Sequence, residues 1–169
     1  MKELQVRIVK LKPMRVASVR VVSETPERDA WGRMKAWAEP RGLLANIQEH
    51  PVFGFNNPDP SPDRKDYGYE FWVPIGKDTK VEGEVEAKDF RGGLYAVTTC
   101  DVRECKLEGI PQAWGILAKW VESSKYKFGK HQMLEGIHNP DASESELVLD
   151  LYCPIEPTRA RGASVPKTH

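Results

Sequence analysis

The chain repeats itself. Ala30-Trp31-Gly32-Arg33-Met34-Lys35-Ala36-Trp37 matches Ala113-Trp114-Gly115-Ile116-Leu117-Ala118-Lys119-Trp120 at an offset of 83 positions. Val52-Phe53-Gly54-Phe55-Asn56-Asn57-Pro58-Asp59 matches Leu134-Glu135-Gly136-Ile137-His138-Asn139-Pro140-Asp141 at 82. Phe71-Trp72-Val73-Pro74-Ile75 matches Leu151-Tyr152-Cys153-Pro154-Ile155 at 80. One such match is within chance. Three in the same order, with the offset drifting by only three, mark an internal duplication. Two equivalent units normally pack about a pseudo-twofold axis and join their strands into one sheet.

Each unit reads as strand, helix, strand, strand. In the first, Leu4-Gln5-Val6-Arg7-Ile8 alternates apolar and polar, as a half-buried strand does, and Lys12-Pro13 breaks it. Residues 16–22 are rich in valine and read as the next strand. Thr25-Pro26-Glu27 starts a helix, with a capping hydroxyl, a proline at the first helical position and an acid on the positive end of the dipole. Trp31, Met34 and Trp37 recur at helical spacing, and Pro40 and Gly42 end the helix. Residues 52–55 and 69–73 read as strands joined by a proline-rich turn. In the second unit, residues 81–87 and 94–100 read as strands separated by Gly92-Gly93. Residues 110–121 form a helix with Ile110, Trp114, Leu117 and Val121 on one face, and 133–137 and 147–153 are the last strands. The predicted fold is α+β: duplicated strand-helix-strand-strand units with pseudo-twofold symmetry and a curved antiparallel sheet. Two main helices cover one face, and the other face near the axis is expected to be concave. Residues 1–156 read as one domain, with halves at about 1–76 and 77–156. Residues 157–169 read as a disordered tail.

A duplication is its own control. Positions that match across the halves serve the shared core, and positions that differ are candidates for something else. The sharpest difference in the aligned blocks is Phe53 against Glu135. Met133, Glu135 and Ile137 share a strand face by period two, and two of the three are apolar. A carboxylate there is paired, exposed at a rim or functional. The preferred reading is a pocket acid, because desolvated acids in clefts cluster at functional sites. Trp72 and Tyr152 occupy matching positions before a Pro-Ile pair and are read as pocket walls or as plain core. Tyr67 and Tyr69 stand where the long turn enters its strand and are assigned to the rim; Phe53 and Ile137 complete the candidate ligand-binding set. Glu70 and Asp150 share the face of Trp72 and Tyr152 and are expected to be solvated. The four helical tryptophans, Trp31, Trp37, Trp114 and Trp120, match across the halves, and Trp31 and Trp114 are assigned to the core.

Composition excludes several function classes. Lys+Arg and Asp+Glu both number 25, so there is no basic excess to hold nucleic acid. No apolar run approaches a membrane span, and no secretory leader precedes the first strand pattern. Cys100, Cys105 and Cys153 fit no disulfide framework and read as reduced thiols of a cytoplasmic protein. His138 stands alone, so no metal site is expected, and no phosphate loop or nucleophile–base motif points to a cofactor.

The pattern resembles the GyrI-like small-molecule-binding domains, also found as effector-binding domains of AraC-type and multidrug-sensing regulators. The resemblance runs from about Val6 to Ile155. It is carried by Lys12-Pro13-Met14-Arg15-Val16-Ala17, Gly92-Gly93-Leu94-Tyr95-Ala96-Val97, the helix around Trp114, Glu135, and Leu149-Asp150-Leu151-Tyr152-Cys153-Pro154-Ile155. It implies a cleft between halves for hydrophobic, often aromatic and cationic compounds, with Glu135 as the acidic pocket residue. Many members have an aromatic residue where this chain has Ile137, which implies a pocket that is more open or less selective for stacking. Regulators of the family carry an upstream helix-turn-helix domain for which this sequence has no room, so direct DNA binding is not expected.

Three functions follow. The first is a stand-alone binder of lipophilic, aromatic or cationic molecules, for sensing, sequestration or resistance. The second is a hydrolase of strained electrophiles such as cyclopropane-bearing DNA-alkylating compounds, with Glu135 as the catalytic residue. The third is a protein-interaction module of the gyrase-inhibitor type, or one that meets a separate regulator.

Overall fold

The computed structural model describes residues 5–47, 51–105 and 109–158. The first half gives β1 (Arg7–Leu11), β2 (Met14–Ser23), α1 (Pro26–Ala38), β3 (Val52–Asn56) and β4 (Tyr67–Ile75). The second gives β5 (Glu86–Phe90), β6 (Gly93–Asp101), a four-residue α2 (Val102–Cys105), α3 (Gly109–Glu122), β7 (Tyr126–Phe128), β8 (Leu134–Ile137) and β9 (Val148–Pro157). All strands belong to one antiparallel sheet in the order β1-β6-β9-β8-β3-β4-β2-β5, with β7 pairing β9 beside this path. The order is palindromic: each strand of one half mirrors its counterpart about the β3–β8 pair. The opening strands are exchanged, β1 joining β6 of the second half and β5 joining β2 of the first.

Local chemistry explains most of the boundaries. Pro26 opens α1, with Glu27 and Asp29 in its first turn. The Thr25 hydroxyl does not cap the helix backbone as expected; it and Ser23 hydrogen-bond the Asp29 carboxylate at 3.2 and 2.6 Å. The helix ends through a 3-10 turn, with Gly42 in the left-handed region at φ 71°. The strand expected at 81–87 begins only at Glu86, because Gly83 turns at φ 64° and the Val85 amide donates to the Glu82 carbonyl. The first strand is shifted to start at Arg7, and β7 has no counterpart in the sequence reading. The last strand runs on to Pro157, into the expected tail; residues 159–169 lie outside the described residues.

Helix α1 packs on β2 and β4, and α3 on β6, β7 and β9. The central pair β3–β8 therefore lies between the helices. The helix side buries Val19, Val21, Phe71 and Val73 with Met34 and Trp37 of α1, and Leu149, Leu151 and Ile155 with Leu117 and Val121 of α3. A second core packs on the other face, the one expected to be concave. There Phe53 is 2%, Trp72 8% and Tyr95 0% exposed, packed with Phe55, Phe90, Val97 and Leu134. Edge-to-face rings hold this layer together: Phe55 on Trp72 at 4.9 Å, and Tyr152 against Phe53 and Tyr95 at 5.8 and 5.5 Å. Cys100 and Cys153 are buried and are not joined in a disulfide.

Glu70 overturns its solvated assignment. It is 1% exposed and is held by Trp72 Nε1 at 2.6 Å, Ser18 Oγ at 2.7 Å, Lys88 Nζ at 2.8 Å and Asn57 Nδ2 at 3.1 Å. Burial raises its pKa, but these donors outweigh burial and leave it below the ordinary value.

Candidate functional site

Glu135 stands in β8 directly opposite Gly54 of β3. The ladders correct the repeat alignment by one position here. Phe53 pairs with Trp72 and Leu134 with Tyr152, so Phe53 corresponds to Leu134 and Gly54 to Glu135. The contrast between the halves is therefore glycine against glutamate, on the helix side of the sheet.

The glycine has a physical purpose. A Cβ on Gly54 would lie 2.4 Å from the Tyr69 hydroxyl and 2.5 Å from its ring. Tyr69 starts on β4, crosses the gap that Gly54 leaves in β3, and donates its hydroxyl to Glu135 Oε1 at 2.7 Å. Tyr69 is in turn packed edge-on against Phe71 at 4.9 Å, and Phe71 against Trp31 of α1 at 5.5 Å. From the other helix, Trp114 acts on the Glu135 carboxylate as a second, weaker donor.

Burial pushes the Glu135 carboxyl above its ordinary pKa; the Tyr69 and Trp114 hydrogen bonds oppose this, and the Glu27 charge adds to it. Glu135 forms no ion pair among the described residues. The Tyr69 phenol is held well above the ordinary tyrosine value by burial and then by the Glu135 charge and hydrogen bond, so it stays a donor. Tyr67 ties the rim through Glu27, at 2.7 and 2.9 Å to its two carboxylate oxygens. The site thus combines a desolvated carboxylate, a second acid near it and an aromatic surround.

The seven expected site residues divide between the two faces of the sheet. Glu135, Tyr69 and Ile137 lie on the helix side, with Tyr67 at the strand's start on the rim. Phe53, Trp72 and Tyr152 lie on the other side. Trp31, Trp114, Glu27 and Gly54 belong with Glu135 and were absent from the expected set. The two tryptophans were assigned to the core because they match across the halves; both are only half-buried. A site near a pseudo-twofold axis recruits both copies of a residue, so symmetry hides such residues from a search for differences.

Among the described residues no three His, Cys, Asp or Glu side chains cluster as metal ligands. No helix there is long and apolar enough to cross a membrane.

Comparison with known proteins agrees with this architecture. The C-terminal domain of EcmrR superposes with a TM-score of 0.64 at 15% identity, covering 92% of this chain and 99% of that domain. The chain spans only 58% of EcmrR as found in its DNA complex. A hydrolase from Listeria innocua superposes at 0.63 with 9% identity, covering 90% of this chain and 92% of that one. SAV2435 bound to tetraphenylphosphonium superposes at 0.50 with 12% identity, covering 92% and 94%. Identities this low establish a shared fold and leave function to the site. No curated protein matches the chain in sequence. The model of the GyrI-like small molecule binding domain matches residues 4–156, and the chain belongs to that family.

Proposed function

We propose that this small-molecule-binding domain takes lipophilic aromatic cations in the cleft between α1 and α3, with Glu135 as the counter-charge. The observation that carries this reading is a largely buried carboxylate, unpaired by any described cation, set among Tyr69, Trp114, Phe71 and Trp31. A carboxylate desolvated in this way gains most from a cation that brings its own apolar surface. Flat aromatic walls add stacking and cation–π attraction, about 0.5–2 kcal/mol per well-placed ring. That SAV2435, a fold relative, holds tetraphenylphosphonium makes this compound the natural probe. Titrated into the wild type and Glu135→Gln, it is expected to bind the variant at least about tenfold more weakly, the loss of one desolvated charge pair. A neutral aromatic of similar size should bind both alike. Equal affinity for the cation would sink the reading. Sensing, sequestration and resistance are all uses of such binding.

One observation favours a second reading, hydrolysis of a strained electrophile. The 2.7 Å Tyr69–Glu135 pair joins a carboxylate of raised pKa to a phenol that stays protonated. Glu135 would take a proton from water as the water oxygen bonds the cyclopropane carbon and the carbon–carbon bond opens. The released electron pair would move to the conjugated carbonyl oxygen, stabilised by the tyrosine hydroxyl. A product heavier by one water, formed many times per protein and lost in both Tyr69→Phe and Glu135→Gln, would establish this activity. A probe recovered unchanged would exclude it for that compound.

A further inference from the structure

Glu70 and Asp150 occupy matching positions in the two halves, on the face of the sheet away from the helices. Their surroundings differ. Glu70 is sealed by four donors. Asp150 is met by Arg7 NH2 at 3.1 Å and Thr99 Oγ1 at 2.6 Å on Oδ1, and by His138 Nε2 at 2.9 Å on Oδ2, yet it opens onto a groove of about 570 Å³. The groove walls include Leu44, Ile47, Pro51, Phe53, Ile137 and Tyr152. Gly136 keeps the floor low, since a Cβ there would sit 2.9 Å from the Tyr152 ring. In the ladder register His138 answers Asn57, whose Nδ2 meets Glu70 as the imidazole meets Asp150, so the imidazole exists only where the groove exists. Core packing needs none of this asymmetry.

We infer that this groove is a second small-molecule site, which takes an amphipathic organic carboxylate with its apolar body against Leu44, Ile47, Pro51 and Tyr152 and its head on His138. Both oxygens of Asp150 are already engaged, so that acid offers little to a cation. Arg7 cancels its charge, and a protonated His138 leaves the cluster net positive. Imidazole Nδ1 has no partner among the described residues and supplies the free donor when the ring is charged. The groove's described loop wall, Leu44, Ala45, Asn46, Ile47 and Pro51, carries no ionisable group. The hydrogen bond to Asp150 raises the His138 pKa, burial lowers it, the Asp150 charge raises it again and Arg7 opposes, with a net rise. Affinity for an anion therefore falls as pH rises through that value. The site is independent of Glu135, which projects from the opposite face of β8.

Equilibrium dialysis with decanoate tests this at about pH 6 and about pH 8.5, either side of imidazole titration. One decanoate per chain is expected, bound about five- to tenfold more tightly at the lower pH. His138→Gln, at a half-exposed position, should keep the circular dichroism spectrum and weaken binding at the lower pH to the level seen at the higher. Glu135→Gln should leave decanoate binding unchanged. No binding at either pH, equal binding at both, or loss in Glu135→Gln with none in His138→Gln would each overturn the inference.

Discussion

Gly54 controls whether Tyr69 and Glu135 meet. Any larger residue puts a Cβ where the phenol now lies, so Gly54→Ala must expel the ring. The expected cost is about 1–3 kcal/mol from overpacking, read as a lowered urea midpoint. Tetraphenylphosphonium affinity should drop in the same variant, because the Glu135 hydrogen bond goes with the ring. A variant that kept both stability and affinity would show that Tyr69 is not placed by this gap. Glu135 itself works against folding. Its pKa is raised above 4.5 in the native state, so the native chain holds its proton more tightly than the unfolded one. Stability is therefore lost as pH rises from 4.5 through the raised value. Glu135→Gln mimics the protonated form and should melt with the wild type in acid. At neutral pH it should melt higher, by about 2–4 °C if the gain is ~1 kcal/mol. Melting curves across pH that stay parallel would exclude a desolvated charge. The glutamate was legible in sequence because apolar residues flank it at period two. Its partners were not: glycine carries no pattern, and Trp114 looks like core for the same reason that it matches Trp31.

At the scale of elements, the exchanged strands carry the cations that close the acid clusters. Lys88 of β5 reaches Glu70 on β4 of the other half, and Arg7 of β1 reaches Asp150 on β9. Removing Lys88 leaves Glu70 buried with three neutral donors and no described cation. Lys88→Met is expected to cost about 2–4 kcal/mol at neutral pH, toward the lower end because half-exposed Lys88 admits water. The pKa of Glu70 is depressed below 4.5, so its favourable contribution is present above that value and lost as pH falls through the depressed one. The cost of Lys88→Met should shrink accordingly when urea denaturation is repeated in acid. An unchanged cost would assign the effect to lysine packing instead. Period-two alternation could not reveal this cluster. It separates the two faces of a strand, but it does not say whether a second layer covers the polar one. Here Trp72, Phe90 and Tyr95 form that layer, assembled from strands far apart in sequence. The same limit displaced β5: residues 81–85 alternate well enough, but Gly83 at positive φ turns the chain before pairing begins.

For the molecule as a whole, the duplication was readable from three collinear blocks, whereas the exchange of β1 and β5 was not, because an edge strand fits either half by its own pattern. The exchange makes neither half self-sufficient. Within residues 1–76, β1 has lost its partner β6, and β2 lies bare where β5 should pair. The axis is also held from outside the sheet. Trp31 Nε1 of α1 donates to Asp141 Oδ1 at 3.0 Å, and Lys35 Nζ meets the same oxygen at 3.0 Å, pinning the first helix to the second half's last turn. These contacts predict obligate complementation. Expressed separately, fragments 1–76 and 77–158 should each lack a cooperative thermal transition, since an unpaired edge and a half-covered core leave too little buried apolar surface to offset chain entropy. Mixed in equal amounts, they should recover the strand signal in circular dichroism, and with it tetraphenylphosphonium binding, because the proposed site draws Tyr69 from one half and Glu135 from the other. A fragment that melted cooperatively alone would show that the exchanged strands decorate two autonomous units. Tetraphenylphosphonium binding by one fragment alone would instead place the binding site within one half, away from the pairing of Tyr69 with Glu135.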